Sequence, residues 1–171
     1  MIMTKMTPGT PFPPLSWPAV GGGSISPASD AGWRLLVVYR GKHCPVCKQY
    51  VGMLNDMADE FGAAGIRVYA VSADTREKAE AEAGEQGWNL PVGYDLTPDQ
   101  MHALGLYVST PRSPQETDRP FAEPGLFAIN PDGEAQVISL SNAPVARPDL
   151  TILLNGLKFL MANNYPIRGL A

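Results

Sequence analysis

Cysteine is scarce in this chain of 171 residues: there are two, Cys44 and Cys47, separated by two positions. A secreted domain stapled by disulfides scatters more cysteines at wider spacing, so that class is excluded. Histidine is as rare, with only His43 and His102. A structural zinc site needs about four ligands and finds no second cysteine pair here. Lys and Arg total 13 against 17 acidic residues, giving a net charge of -4 and no basic cluster. The electrostatic footprint of a nucleic-acid or anionic-membrane binder is therefore missing, and small molecules or other proteins are the expected partners. No apolar run approaches the eighteen or more residues of a spanning helix. The N-terminus is broken by Pro8, Pro11, Pro13 and Pro14, which leaves no uninterrupted apolar core for a signal peptide. The expected location is cytoplasmic.

What is present describes one ordinary globular domain, with 44% hydrophobic and 18% charged residues. Residues 1–32 are rich in Pro, Gly and Ser and read as an N-terminal extension of extended chain and turns. It packs on, or leads into, a domain expected over residues 33–171. The run Trp33–Tyr39 (WRLLVVY) has the continuous apolar character of a strand covered on both faces. After RGKHCPVC, the residues Val51, Leu54, Ala58 and Phe61 recur at helical spacing, and Gly62 and Gly65 close that helix. Ile66–Ser72 is a second apolar strand, which completes a βαβ unit and requires a parallel pair with a right-handed crossover.

Further on, Thr75–Gln86 reads as a solvated helix capped by Asp74 or Thr75, its charges facing water. A short strand near Pro91–Tyr94 and a helix from Pro98 to Leu104, ending at Gly105, continue the alternation. Tyr107–Pro124 contains four prolines and reads as a long loop of the kind that borders active sites. Gly125–Asn130 and Ala135–Leu140 form an antiparallel hairpin about Pro131, Asp132 and Gly133. A closing amphipathic helix from Pro148 to Asn163 presents Leu150, Leu153, Leu154 and Leu157, with Leu160 or Met161, to the sheet. The fold class is thus α/β, a central mixed β-sheet flanked by helices.

The chemistry concentrates at Cys44 and Cys47. A disulfide between residues three apart closes a small ring and adds little stability, so reactivity is the better reason for the pair. At a strand-to-helix junction the unpaired N–H groups and the helix dipole favour thiolate over thiol. Pro45 suits a helix start, where its missing N–H costs little. Lys42, His43 and Lys48 stand close enough in sequence to add positive charge. The competing reading, two inert apolar cysteines, fits poorly with a Cys-x-x-Cys spacing at such a junction. The glycines at 21–23 precede no helix start and read as a turn rather than a phosphate cradle.

The stretch VVYRGKHCPVCK resembles the Arg-Gly-x-x-Cys-Pro-x-Cys block of the peroxiredoxin-like branch of the AhpC/TSA family, within the thioredoxin superfamily. VYAVSAD, GLYVST, EPGLFAINPDG and the late ARPD segment extend the similarity over nearly the whole chain. The resemblance implies a thioredoxin-like fold. In ordinary peroxiredoxins the corresponding block is Pro-x-x-x-Thr/Ser-x-x-Cys, which places the peroxidatic role on Cys47, the Thr position on Cys44 and the Pro position on Arg40. A thiol thus replaces the hydroxyl that helps to hold the peroxide. Thioredoxins use the first cysteine of the pair as nucleophile, here Cys44, so the two families assign opposite roles to the same sulfurs. The resemblance further implies a cis-proline against the pair, for which Pro124 is the candidate, and an arginine near the peroxidatic sulfur, for which Arg40 and Arg119 are candidates.

These readings converge on a thiol-dependent peroxidase reducing hydroperoxides through a dithiol/disulfide cycle. A thioredoxin-type or small thiol would be the reductant, no cofactor or metal is required, and the family resemblance makes a homodimer the candidate assembly. A thiol-disulfide oxidoreductase acting on protein disulfides, and a redox sensor or binding module without turnover, are the alternatives.

Overall fold

The computed structural model describes residues 5–171; the first four residues of the N-terminal extension lie outside the described part. Three strands at the centre of a five-stranded sheet carry the core. β3 (Trp33–Val38) pairs in parallel with β4 (Ile66–Val71) and antiparallel with β8 (Gly125–Ile129). β5 (Val92–Gly93) and β9 (Ala135–Leu140) complete the order β5-β4-β3-β8-β9. The continuous apolar runs have the reason the sequence suggests: Leu35, Leu36, Val37 and Val38 are all buried, alternating between cores on the two faces.

On one face lie α1 (Pro45–Ala63) and α4 (Leu150–Ala162), whose Val51, Leu54, Leu150, Leu154 and Leu157 share a core with Leu35 and Val37. α2 (Arg76–Gln86) adds Ala83 to that core. α3 (Pro98–Ala103), held by a Thr97–Gln100 capping box, places Met101 in the core of the other face. Thr75 caps α2 and Asp149 caps α4 through their side chains.

Two segments hold more order than their composition suggests. Within the N-terminal extension β1 (Trp17–Pro18) and β2 (Ser24–Ile25) form a small antiparallel pair across the glycine turn, and Phe12, Trp17 and Ile25 are buried in the second core. The loop after α3 contains β6 (Val108–Ser109) paired with β7 (Phe121–Ala122). Buried Arg34 ties the extension to the sheet, donating to the carbonyls of Pro27 (2.7 Å), Gly32 (2.9 Å) and Asn130 (2.7 Å).

Pro124 is a correction: no described peptide bond is cis. Trans is favoured at an X–Pro bond by about 0.5–1 kcal/mol, and Pro124 keeps it. No helix of the described residues is long and apolar enough to cross a membrane.

Candidate active site

Both cysteines sit at the first turn of α1, at the end of the central strand. Cys44 is the N-cap in extended conformation, Pro45 opens the helix, and Cys44 Sγ accepts the Cys47 N–H at 3.3 Å. The cap is a role usually filled by an oxygen, and a thiolate suits it better than a thiol because the donor and the dipole are both positive. Both thiols are free and buried. A cleft of about 480 Å³ opens over Cys44, bordered by Arg40, His43, Val46, Arg112 and Pro144, whereas Cys47 lies beneath, without exposed surface. Part of the rim comes from the proline-rich loop, as its composition suggests.

The turn that delivers the pair is fixed from below. Gly41 has φ +136°, and a Cβ there would stand 2.5 Å from Asp74 Oδ1. The same carboxylate accepts the Lys42 N–H at 2.8 Å. Asp74, buried after β4, thus holds the loop between β3 and Cys44 in place.

The cation at the sulfurs is one the sequence left unassigned. Arg147 Nη2 donates to Cys47 Sγ at 2.7 Å, and its guanidinium lies over the Tyr50 ring. Tyr50, one turn along α1, donates its hydroxyl to the Pro148 carbonyl at 2.7 Å and pins this segment just before α4. The signal was the ARPD segment, but nothing local says that it folds back to residue 47.

Arg40 is the second cation at the site. It forms an ion pair with buried Glu123 at 2.8 Å, packs over Phe121 and contributes to lowering the Cys44 pKa. Arg119 is instead engaged with Asp118 and Asp95 on the surface, so it is the candidate that fails. Lys42 and Lys48 turn to Glu85 and Glu82 rather than to the sulfurs. His43 borders the cleft, edge-on to Phe121; burial and Arg40 push its pKa down, so it adds no positive charge.

Cys44 Sγ accepts the Cys47 N–H and the two sulfurs influence one another's ionisation, so they titrate as a pair. The contact with Cys47, outweighing the cost of burial and helped by Arg40, pushes Cys44 down to about 6. The second ionisation, on Cys47, is raised by the neighbouring sulfur and by burial, with Arg147 opposing. One negative charge thus resides on the pair at neutral pH, chiefly on Cys44, while Arg147 limits how far Cys47 is raised.

Among known proteins, the AhpC/TSA family model matches residues 8–138. The chain belongs to the AhpC/TSA family. Within it, a Mycobacterium tuberculosis protein that bears the name putative peroxiredoxin is 30% identical over 105 residues, covering 61% of this chain and 67% of that protein. A thioredoxin peroxidase of Echinococcus granulosus is 25% identical over 146 residues, 79% of this chain and 72% of that one. The fold matches Mycobacterium bovis AhpC with TM-score 0.77 at 18% identity, covering 94% and 95% of the two chains. It matches a peroxiredoxin-like protein of Aquifex aeolicus with TM-score 0.76 at 15% identity, covering 92% and 89%. The thioredoxin-like α/β architecture expected from the sequence is thus the fold of this AhpC/TSA protein.

Proposed function

We propose that this chain is a thiol-dependent peroxidase that cycles Cys44 and Cys47 between dithiol and disulfide. The observation that carries the reading is the Arg147 guanidinium on Cys47 Sγ. It stabilises a thiolate on Cys47, the sulfur to which the family resemblance gives the peroxidatic role. In the first step the Cys47 thiolate attacks the distal oxygen of a hydroperoxide, the O–O bond breaks, and the departing alkoxide takes a proton to leave as alcohol. Cys47 becomes a sulfenic acid; the Cys44 thiol condenses with it, forming the disulfide and releasing water. Reduction then begins at Cys44, the sulfur that borders the cleft, where an incoming thiolate displaces Cys47. A thioredoxin-type dithiol or a small thiol fits this step, and a reducing cytoplasm would keep it supplied. A homodimer belongs to the same reading.

A specific observation favours a second reading. Cys44 both borders the open cleft and has the lowered pKa, which suits attack on a protein disulfide, with Cys47 resolving the mixed disulfide. Single serine variants separate the two. After hydroperoxide, a sulfenic-acid reagent is expected to label Cys47 in Cys44→Ser, and the wild type to consume hydroperoxide catalytically while reducing insulin-type disulfides poorly. Absence of label on Cys47, together with efficient insulin reduction that is lost in Cys44→Ser, would overturn the peroxidase reading.

A further inference from the structure

Glu82 is the oddest side chain of α2. The sequence places this helix in water, and its neighbours Ala81, Glu85 and Gln86 are exposed, yet Glu82 is 0% exposed. Neither carboxylate oxygen has a hydrogen-bond partner, and the nearest cation is Lys48 Nζ at 3.9 Å. An ionised carboxylate so placed is heavily penalised by lost hydration, whereas a protonated one is penalised far less. Glu82 therefore sits where its charge is conditional.

The groups around it come from every element packed against this spot. Tyr39, at the end of β3, is buried with an unpartnered hydroxyl. Asp74 follows β4, Lys42 and Cys44 belong to the loop before α1, and Lys48 stands on α1 itself. Asp74 and a Cys44 thiolate disfavour the Glu82 anion, while Lys48 and Lys42 favour it; burial, the largest influence, pushes its pKa up to about 7. This cluster lies within electrostatic reach of the dithiol at the first turn of α1.

We infer that Glu82 is a proton-holding residue for the dithiol: it keeps its proton while a sulfur carries the negative charge and gives it up when the disulfide forms. The inference rests on the dithiol/disulfide cycle proposed above. Written out, the thiolate, the thiol, protonated Glu82 and a hydroperoxide ROOH yield the disulfide, ionised Glu82, ROH and water. Two electrons pass from the sulfurs to the O–O bond. The site keeps one negative charge throughout, which moves from sulfur to carboxylate beside Lys48. Thiol reduction of the disulfide returns the proton. Glu82 acts by its charge and does not touch the reacting atoms, so it is a positioning residue in the electrostatic sense.

The test needs no peroxide, which keeps it apart from the test of peroxidase activity. Thiolate absorbance of the reduced protein, followed from about pH 5 to 10, reports the pair directly. Glu82→Gln removes the competing anion and is expected to displace thiolate formation downward by roughly one pH unit, as a sharper single step. Glu80→Gln, which removes an exposed charge from the same helix, is expected to leave the curve in place. Carbon NMR of the labelled Glu82 carboxyl is the second readout, with its titration expected at lower pH in the disulfide form than in the dithiol form. A Glu82→Gln curve that superimposes on wild type, an equal displacement by Glu80→Gln, or a carboxyl that titrates alike in both redox states would each overturn the inference.

Discussion

Arg147→Met is the sharpest perturbation of the proposed chemistry, because it removes one charge and keeps an apolar stem to cover Tyr50. A unit charge about 4 Å from a thiolate contributes roughly 4 kcal/mol at an effective dielectric near 20. The Arg147 guanidinium donates one N–H to sulfur while its Nε and Nη1 are buried without a partner, so the cost of removing it from water offsets about half of this. The remainder, roughly 2 kcal/mol, corresponds to about 1.5 pH units. Losing the cation raises the Cys47 pKa further, so less of the pair's negative charge reaches Cys47 at neutral pH and more stays on Cys44. The second-order rate constant with hydroperoxide is therefore expected to fall by roughly 30-fold at neutral pH, with the pH midpoint of reactivity displaced upward. Competition kinetics over a pH series measures both quantities, and a thermal melt confirms that the variant folds. Arg147→Lys, which returns the charge without the planar fork, is expected to recover part of the loss. An unchanged rate constant with an unchanged pH midpoint would refute the assignment of Arg147 as the thiolate's counter-ion.

Two further outcomes follow from the scaffold around the pair. Gly41→Ala brings a Cβ to 2.5 Å from Asp74 Oδ1 at a backbone angle that side chains avoid, and is expected to cost about 1–3 kcal/mol and to slow thiol alkylation. Denaturant titration with alkylation kinetics reads both, and wild-type values in each would mean that the Asp74 contact does not set the loop. Arg34→Met leaves the buried carbonyls of Pro27 and Asn130 without their donor, for an expected loss of about 2 kcal/mol or more in urea unfolding. A stability within about 0.5 kcal/mol of wild type would show that the extension is held by its apolar contacts alone.

Much of the site's address is local and legible in the order of the residues alone. The apolar run Trp33–Tyr39, the proline after Cys44 and the spacing of Val51, Leu54 and Phe61 together put two cysteines at a strand-to-helix turn. Covalent sequence separation fixes that juxtaposition, since a strand end, a cap and a first helical turn are consecutive. The same local logic placed the β8–β9 hairpin and the start of α4, whose turn and capping residues lie beside the elements they delimit.

Which charges face the sulfurs is not local. Arg147 stands 100 residues from Cys47, and meets it because α4 packs on α1 and Tyr50 fastens the intervening segment. Arg119 and Arg40 look equivalent as sequence candidates, yet buried Glu123 holds Arg40 at the site while Asp118 and Asp95 hold Arg119 at the surface. Glu82 looks like any other acid of a polar helix until that helix is laid against the end of the sheet. Pro124 precedes a strand, as expected, but its peptide bond is trans.

By itself, the sequence determined the α/β order of elements and the placement of the dithiol, because periodicity, caps and turns act between residues a few positions apart. Only the tertiary structure decided which cation meets Cys47, which sulfur borders the cleft and which carboxylate is sealed beneath. Those depend on burial and on distances across the fold, and a charge acquires its effect on a thiol only when packing removes the water between them.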